Sequence, residues 1–100
     1  MSLHDILAAD RRLVILCFLE EDAHYRINED VLKSGLDYRG HAMSRDQVRG
    51  EIIWLEQNGL VEITPLKTSS RELWLVTASE KGVDVARGLP YPGVARPAPK

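Results

Sequence analysis

The sequence predicts a small α+β domain in which helices outweigh strands. Three observations lead to this fold class. Apolar residues recur at helical spacing through most of the first half of the chain, two later runs alternate apolar and polar side chains, and a polar turn joins those runs. A chain of 100 residues, 44% of them hydrophobic, is long enough to bury one core. We therefore expect helices packed behind a two-stranded hairpin, because a lone hairpin is only marginally stable in water.

The first helix is predicted from about residue 3 to residue 21. Its second half is apolar on nearly all sides, which is typical of a helix at the centre of a core. The apolar run at residues 13–19 is too short to span a bilayer, and no secretory signal pattern is visible. A single cysteine, Cys17, excludes an internal disulfide and favours a reducing compartment. Together these observations predict a cytoplasmic protein without membrane contact. The apolar residues at helical spacing are Leu3, Ile6, Leu7, Leu13, Leu16, Cys17 and Phe18.

The second helix is predicted after a short extended segment, HYRI at residues 24–27, which is a candidate third strand. Asn28 is expected to cap this helix, and Glu29 and Asp30 favour the positive end of the helix dipole. The helix should run to about residue 38, before Gly40 ends it. Its expected buried residues are Val31, Leu32 and Leu36.

The third helix is predicted to begin at Ser44. Ser44 and Gln47 have the spacing of a capping box, in which the two side chains satisfy backbone donors at the start of a helix. Gly59 is the expected signal for its C-terminal end. Apolar side chains four and three positions apart should form its inward face, namely Val48, Ile52 and Leu55.

Two strands and a last helix complete the predicted domain. The alternating runs LVEITPL and RELWLVT are joined by the polar turn KTSS at residues 67–70. Pro65 in the first run fits only an edge strand or its end, because proline lacks a backbone N–H. Ser79 is expected to cap a closing helix in which Val83 and Ala86 are core candidates.

The end of the chain differs in composition from the rest. Residues 89–100 are rich in proline and contain no acidic residue, whereas residues 1–88 supply all the predicted helices and strands. We therefore divide the chain into a domain at residues 1–88 and a Pro-rich basic tail at residues 89–100. The tail is expected to be a disordered trailing end, although Arg96 and Lys100 would also suit an arm that docks on a partner or on DNA.

Two segments resemble parts of winged helix-turn-helix regulators. IIWLEQNGLVEI at residues 52–63 is similar to the end of a recognition helix, where a Leu-x-x-Leu-Glu-x-x-Gly-Leu-Val pattern leads into the β-wing. ASEKGVDVARG at residues 78–88 is similar to the start of the helix after the wing, with Ala78 and Ser79 replacing the usual Leu and Thr. The resemblance implies a three-helix core, a two-stranded β-wing and a closing C-terminal helix.

More narrowly, the chain resembles a family of small proteins of Mu-like phages and prophages. The segments that carry this resemblance are DRRLVIL, SRDQVR, WLEQNGLV, SEKGVDVARG and PGVARP. It implies a phage or prophage protein. The apolar second half of the first helix makes it a candidate to bury part of itself in a homodimer. The resemblance also implies a homodimer, because winged-helix regulators commonly dimerise.

The third helix is the element that the resemblance directs at DNA. The first turn of a recognition helix meets base edges and phosphates, and arginine pairs with phosphate or with guanine. Gln47 suits adenine, and the free backbone donors beside Ser44 suit a phosphate. We therefore expect a protein that binds double-stranded DNA, as a transcriptional regulator or a DNA-associated accessory factor, with the hairpin clamping the DNA backbone. The candidate DNA-binding residues are Arg39, Ser44, Arg45, Gln47, Arg49, Lys67 and Arg71.

A protein–protein interaction module is the alternative, such as a phage assembly or packaging accessory. The formal net charge is −2, whereas domains that coat nucleic acid are usually clearly basic. Opposite its inward face, the third helix carries Asp46 and Gly50, and the neighbouring Ile53 and Trp54 would together form an exposed apolar patch. Ile53 and Trp54 are therefore candidates for a protein contact, unless Trp54 is partly buried in its own domain or in a dimer.

No catalytic, metal or cofactor site is predicted. His4, His24 and His41 lack ligand spacing, and one cysteine gives no zinc pattern. Ser44 lies close in sequence to His41 and Asp46, but this serine is already expected to cap a helix. We therefore expect no enzyme activity and no cofactor.

Overall fold

Four helices and a three-stranded antiparallel sheet form within residues 1–99, the part of the chain that a computed structural model describes. The elements follow the predicted order. Lys100, one of the two cations considered for a docking arm, lies outside the described residues. No helix in the described part has both the length and the apolar character needed to cross a membrane. The bounds are α1 Leu3–Glu21, β1 Arg26–Asn28, α2 Glu29–Tyr38, α3 Arg45–Gln57, β2 Val61–Lys67, β3 Glu72–Ala78 and α4 Glu80–Ala86.

Side chains at the helix starts explain where three of the helices begin. The Asn28 side chain accepts a hydrogen bond from the Val31 N–H at 3.0 Å and caps α2. Ser44 Oγ accepts from the Gln47 N–H at 3.1 Å, while Gln47 Oε1 accepts from the Ser44 N–H at 2.9 Å. Ser79 caps α4 in the same way as Asn28 caps α2. All three predicted caps are confirmed, and they satisfy backbone donors that have no partner inside the helix.

The central strand of the sheet is β3, which lies between β1 and β2. Both neighbours run antiparallel to it, and the register places Ile27 and Ile63 on either side of Val76. The predicted third strand is therefore confirmed, with a shift of about two residues along the chain. Pro65 lies on the edge strand β2, where a missing N–H is tolerated.

Helix α1 supplies the centre of the hydrophobic core. Its residues Ile15, Leu16 and Leu19 are completely buried, as is Val76 of the central strand. The helices and the sheet therefore share one core, which lies between the two layers. The predicted inward face of α3 is confirmed by the burial of Val48, Ile52 and Leu55.

Three apolar side chains that helical spacing assigns to buried faces lie at the surface. The prediction that Val31 is buried is wrong, because Leu32 and Leu36 point into the core and leave Val31 54% exposed. Leu3 and Ile6 belong to the apolar pattern of the first helix but are 70% and 51% exposed, because the buried stretch of α1 begins only at Ala8.

Residues 91–95 of the C-terminal tail pack against the domain, which corrects the expectation of a disordered trailing end for that part of the tail. Val94 is 7% exposed and joins the hydrophobic core. The Ala95 N–H donates to the Ala9 carbonyl at 3.1 Å, and Arg12 Nη1 donates to the Gly93 carbonyl at 3.0 Å. A proline-rich composition predicts a segment that has no core of its own. It does not predict that Val94 packs against α1, which is distant in the sequence.

Two glycines inside helices provide a matched test of how α4 packs against the chain at Leu60. A Cβ at the buried Gly82 of α4 would overlap the carbonyl oxygen of Leu60, whereas a Cβ at the exposed Gly50 of α3 would meet no atom within 4 Å. We expect Gly82→Ala to lower the free energy of unfolding by about 1–3 kcal/mol through overpacking. Gly50→Ala should raise it by about 0.5–1 kcal/mol, because alanine favours a helix. Urea denaturation measures both values, and equal effects would contradict the described position of α4.

Candidate nucleic-acid interface

A buried carboxylate at the start of α2 joins three elements of the fold. Glu29 is 2% exposed, and it accepts hydrogen bonds from Arg49 Nε and Nη2, both at 2.7 Å, and from the Trp74 backbone N–H at 2.6 Å. The Arg49 guanidinium also lies over the Trp74 ring, 4.1 Å from its centroid, and donates to the Glu72 carbonyl at 3.1 Å. One bidentate ion pair therefore holds α2, α3 and β3 together.

The charge state of this pair follows from its surroundings. Burial alone would raise the pKa of Glu29, but the hydrogen bonds from Arg49 and from the Trp74 N–H outweigh burial and lower that pKa. The hydrogen bond to the Glu29 carboxylate in turn raises the pKa of Arg49. Both groups are therefore charged at neutral pH, and each is the other's main partner.

The next residue of α2, Asp30, bridges two more arginines. Asp30 Oδ1 accepts from Arg45 Nη2 at 3.1 Å, and Asp30 Oδ2 accepts from Arg71 Nη2. The side chains of Asp30, Arg45 and Arg71 are 43%, 39% and 35% exposed, so this group lies at the surface, unlike Glu29. Arg71 Nη1 is buried and has no hydrogen-bond partner within residues 1–99. Arg45 bonds Asp30 through Nη2 alone, and its Nε and Nη1 bond no group among the described residues, so the bridge leaves donors of Arg45 that a ligand could use.

Three candidate DNA-binding residues are occupied by local structure. The side-chain oxygens of Ser44 and Gln47 accept the backbone hydrogen bonds of the capping box at the start of α3. Arg49 has both Nε and Nη2 bound to Glu29. These are the side chains that the sequence suggested for reading bases or holding a phosphate from α3, and each already has a partner in the chain.

Four candidate cations remain accessible to a ligand. Arg45 and Arg71 meet at Asp30, where α3 begins and where the chain enters β3. Arg39, just after α2, and Lys67, at the end of β2, have exposed side chains, and neither forms an ion pair or a side-chain hydrogen bond with the described residues. The accessible cations therefore lie at or next to the ends of helices and strands, and none lies in the middle of α3.

The face of α3 that points away from the core carries no cation in the described structure. Its residues Asp46, Gly50, Ile53 and Gln57 are all exposed, as the helical geometry predicts. Ile53 is 39% exposed and lies among polar or small neighbours. This face is therefore acidic at one end and weakly apolar in the middle, which is unfavourable for direct contact with a DNA groove.

Trp54 is partly buried by its own chain, as one of the predicted alternatives requires. The Arg12 guanidinium lies 3.9 Å from the Trp54 ring centroid, and the Tyr91 ring meets it edge-on, with 6.3 Å between the centroids. Arg12 Nε in turn donates to Glu51 at 2.9 Å, a carboxylate that is only 9% exposed. Of the two protein-contact candidates, Ile53 is therefore the exposed one.

Glu29, Asp30 and Glu51 are the important residues that the sequence analysis missed. The sequence predicts only that Glu29 and Asp30 favour the helix dipole, and it predicts no role for Glu51. One signal was available, because two adjacent acids at a helix start and two arginines four positions apart on the next helix have matching charge. Which acid meets which arginine depends on how the helices cross, and spacing in the sequence does not contain that information.

Replacing Glu29 tests its role in joining the three elements. Glu29→Gln should lower the free energy of unfolding near neutral pH by about 3 kcal/mol, because Arg49 loses the partner of a buried ion pair. Since folding lowers the pKa of Glu29, its contribution is present above the usual pKa of 4.5 and is lost as the pH falls through the folded value. The difference between the wild type and Glu29→Gln should therefore shrink in acid.

Urea denaturation between about pH 7 and about pH 3 measures this difference. Glu62→Gln is the matched control, because Glu62 is exposed on the edge strand β2. The control should change the free energy of unfolding by less than about 0.5 kcal/mol. A Glu29→Gln effect of the same size as the control, or one independent of pH, would contradict the proposed role.

Comparison with known proteins finds full-length relatives in phage and bacterial genomes. No protein-family model matches the chain. The chain is 44% identical over 99 residues to the uncharacterised protein gp26 of Escherichia phage Mu, and the match covers 98% of each chain. It is 38% identical over 97 residues to an uncharacterised protein of Haemophilus influenzae, covering 92% of this chain and 94% of that protein. The chain therefore belongs to the family of phage-type proteins that includes gp26 of phage Mu.

Proposed function

We propose that the protein is a winged helix-turn-helix DNA-binding protein of phage or prophage type, either a transcriptional regulator or a DNA-associated accessory factor. In this assignment α1, α2 and α3 are the three-helix core, the β2–β3 hairpin is the wing, and α4 is the closing helix. It is supported by the hairpin that follows α3 after a short turn and pairs along both strands. Helix α3 then has the position of the recognition helix, and its N-terminal end, where Arg45 lies, is the part directed at the DNA backbone.

The observation that carries the proposal is the meeting of Arg45 and Arg71 at the start of α3. One arginine belongs to the helix and the other precedes β3, and both side chains are more than one-third exposed. A helix N-terminus favours an anion, and a guanidinium binds phosphate oxygens with two parallel hydrogen bonds. The pair is therefore a suitable contact for the phosphate backbone. Arg39, after the end of α2, and Lys67, at the end of β2, are further exposed cations.

The same contacts favour the DNA backbone over base edges. Reading bases requires hydrogen-bonding side chains that are free to enter a groove. Gln47 is engaged in the capping box, Arg49 is bound to buried Glu29, and the outward face of α3 presents Asp46. We therefore expect binding that depends strongly on salt and only weakly on sequence, which fits an accessory factor better than a regulator with one operator.

Duplex binding measured across salt concentrations tests the proposal. Arg45→Ala/Arg71→Ala should weaken binding at low salt by about tenfold or more, because two phosphate contacts are lost. The slope of log affinity against log salt should become shallower by about 2, close to 0.9 for each contact. Fluorescence anisotropy with a labelled duplex of about 20 base pairs measures both quantities.

Arg26→Ala/Arg96→Ala is the matched control, since it removes the same charge from exposed residues on β1 and in the tail. The control should keep most of the wild-type slope. The proposal is wrong if the wild type does not bind at low salt, or if both double variants lose the same slope and affinity.

A protein-interaction module is the second candidate, and the exposure of Ile53 favours it. Ile53 lies on the outward face of α3, which carries no cation among the described residues, beside the small residue Gly50 and the neutral Gln57. An apolar side chain at the centre of a polar rim is the usual form of a small contact site. In this reading α3 binds a second copy of the chain or another phage protein in assembly or packaging.

Changing Ile53 to a charged residue tests this second candidate. If α3 mediates self-association, Ile53→Arg should weaken it by about tenfold or more, because the charge would be desolvated at the contact. Gln57→Arg adds the same charge on the same face and should have less effect. Analytical ultracentrifugation measures the association, and an unchanged oligomeric state in Ile53→Arg would argue against self-association through this face.

A further inference from the structure

We infer that Asp30 is an internal competitor for the DNA phosphate: in the free protein its carboxylate occupies the anion position between Arg45 and Arg71. This inference rests on the proposed function and concerns the regulation of that same site. A carboxylate and a phosphodiester each carry one negative charge and offer oxygens to arginine donors. The two anions therefore compete for the same guanidinium groups.

The bonds around Asp30 are those of a bridging anion. Each carboxylate oxygen accepts from a different arginine, one on α3 and one just before β3. Neither arginine is held by a bidentate bond, in contrast to Arg49 on Glu29. Arg45 uses only Nη2 in this bridge, so its Nε and Nη1 are further donors without a partner in the described part of the chain. A phosphodiester also presents two charged oxygens but is not attached to α2, so it can turn toward the donors that Asp30 leaves unused.

Exposure separates the carboxylate that can be displaced from the one that cannot. The Glu29 side chain is 1% exposed, and displacing its arginine would leave a charge buried without a partner. The Asp30 side chain is 43% exposed, so water can solvate it as soon as the arginines turn to another anion. The exchange at Asp30 therefore has a small desolvation cost and leaves the Glu29–Arg49 pair, and with it the fold, unchanged.

The competition lowers the affinity for DNA in two ways. The phosphate must first break two hydrogen bonds to Asp30, and the displaced carboxylate then lies beside the bound phosphate and repels it. Removing the charge of Asp30 removes both effects while all the arginines remain. The wild-type chain should therefore bind DNA more weakly than the number of its arginines suggests.

Asp30→Asn is the variant that tests the inference, with Asp37→Asn as the matched control. Both positions lie on α2, seven residues apart, and both changes remove one negative charge, but Asp37 is exposed and bonds no arginine side chain among the described residues. We expect Asp30→Asn to raise the affinity for the same duplex by about tenfold, the effect of relieving one charge-assisted competition. Asp37→Asn should change affinity by less than about twofold, as expected for a screened surface charge.

A third variant shows whether the gain acts through the arginines. Adding Arg45→Ala to Asp30→Asn should remove most of the gain, because the freed donor is then absent. Circular dichroism and thermal unfolding establish that each variant is folded. If Asp30→Asn does not fold, Asp30→Ser replaces it, since serine is also accepted at a helix start.

The outcomes separate this inference from the proposed function. A gain in Asp30→Asn alone that depends on Arg45 supports it. If the wild type binds the duplex but Asp30→Asn binds it with equal or lower affinity, the inference is wrong and the proposed function stands. The same holds if Asp37→Asn raises the affinity as much as Asp30→Asn does. Absence of duplex binding in the wild type and in every variant overturns both.

Discussion

The burial of the Glu29 carboxylate is the constraint on which the arrangement of this surface depends. A charge that is only 2% exposed needs partners for its oxygens, and Arg49 and the Trp74 N–H supply them. These bonds fix α3 against α2 and the sheet at the same time. They also remove Arg49 from the set of side chains that a ligand can use, because releasing it would leave Glu29 buried and unpaired. One buried acid therefore decides which arginines are structural and which are available.

The same logic divides the polar residues at the start of α3. Ser44 and Gln47 satisfy backbone donors that would otherwise lack partners, so their oxygens are committed to the helix. Arg45 and Arg71 satisfy only a half-exposed carboxylate and can exchange it for another anion. What remains for a ligand is positive charge at the ends of elements, with little capacity to distinguish one base from another. The net charge of −2 does not oppose the proposed DNA contact, because the phosphates would meet the local cations and not the average charge of the chain.

Local signals predicted most of the fold and little of the site. Helical spacing, the Ser44–Gln47 capping box and the alternation around Pro65 are properties of neighbouring residues, and the structure agrees with each of them. The exposure of Val31 and the pairing of Glu29 with Arg49 depend on how α2 crosses α3, which no local pattern contains. The tail illustrates the same limit. Its composition predicts a segment without a core of its own, but it does not predict that Val94 joins the core of the domain.

The packing of that tail also limits what a protein partner could bind. Gly93 has a φ of 88°, and a Cβ there would lie 2.6 Å from the Trp54 ring, so glycine is required both by the backbone and by the aromatic ring beneath it. With Arg12 over the ring and Tyr91 at its edge, Trp54 is already part of an intramolecular contact between α1, α3 and the tail. A partner that used the covered part of Trp54 would have to displace Tyr91 and Gly93 from the ring. Ile53 alone offers no comparable apolar area, so a tight contact through α3 would need polar neighbours such as Gln57 or a rearrangement of residues 91–95.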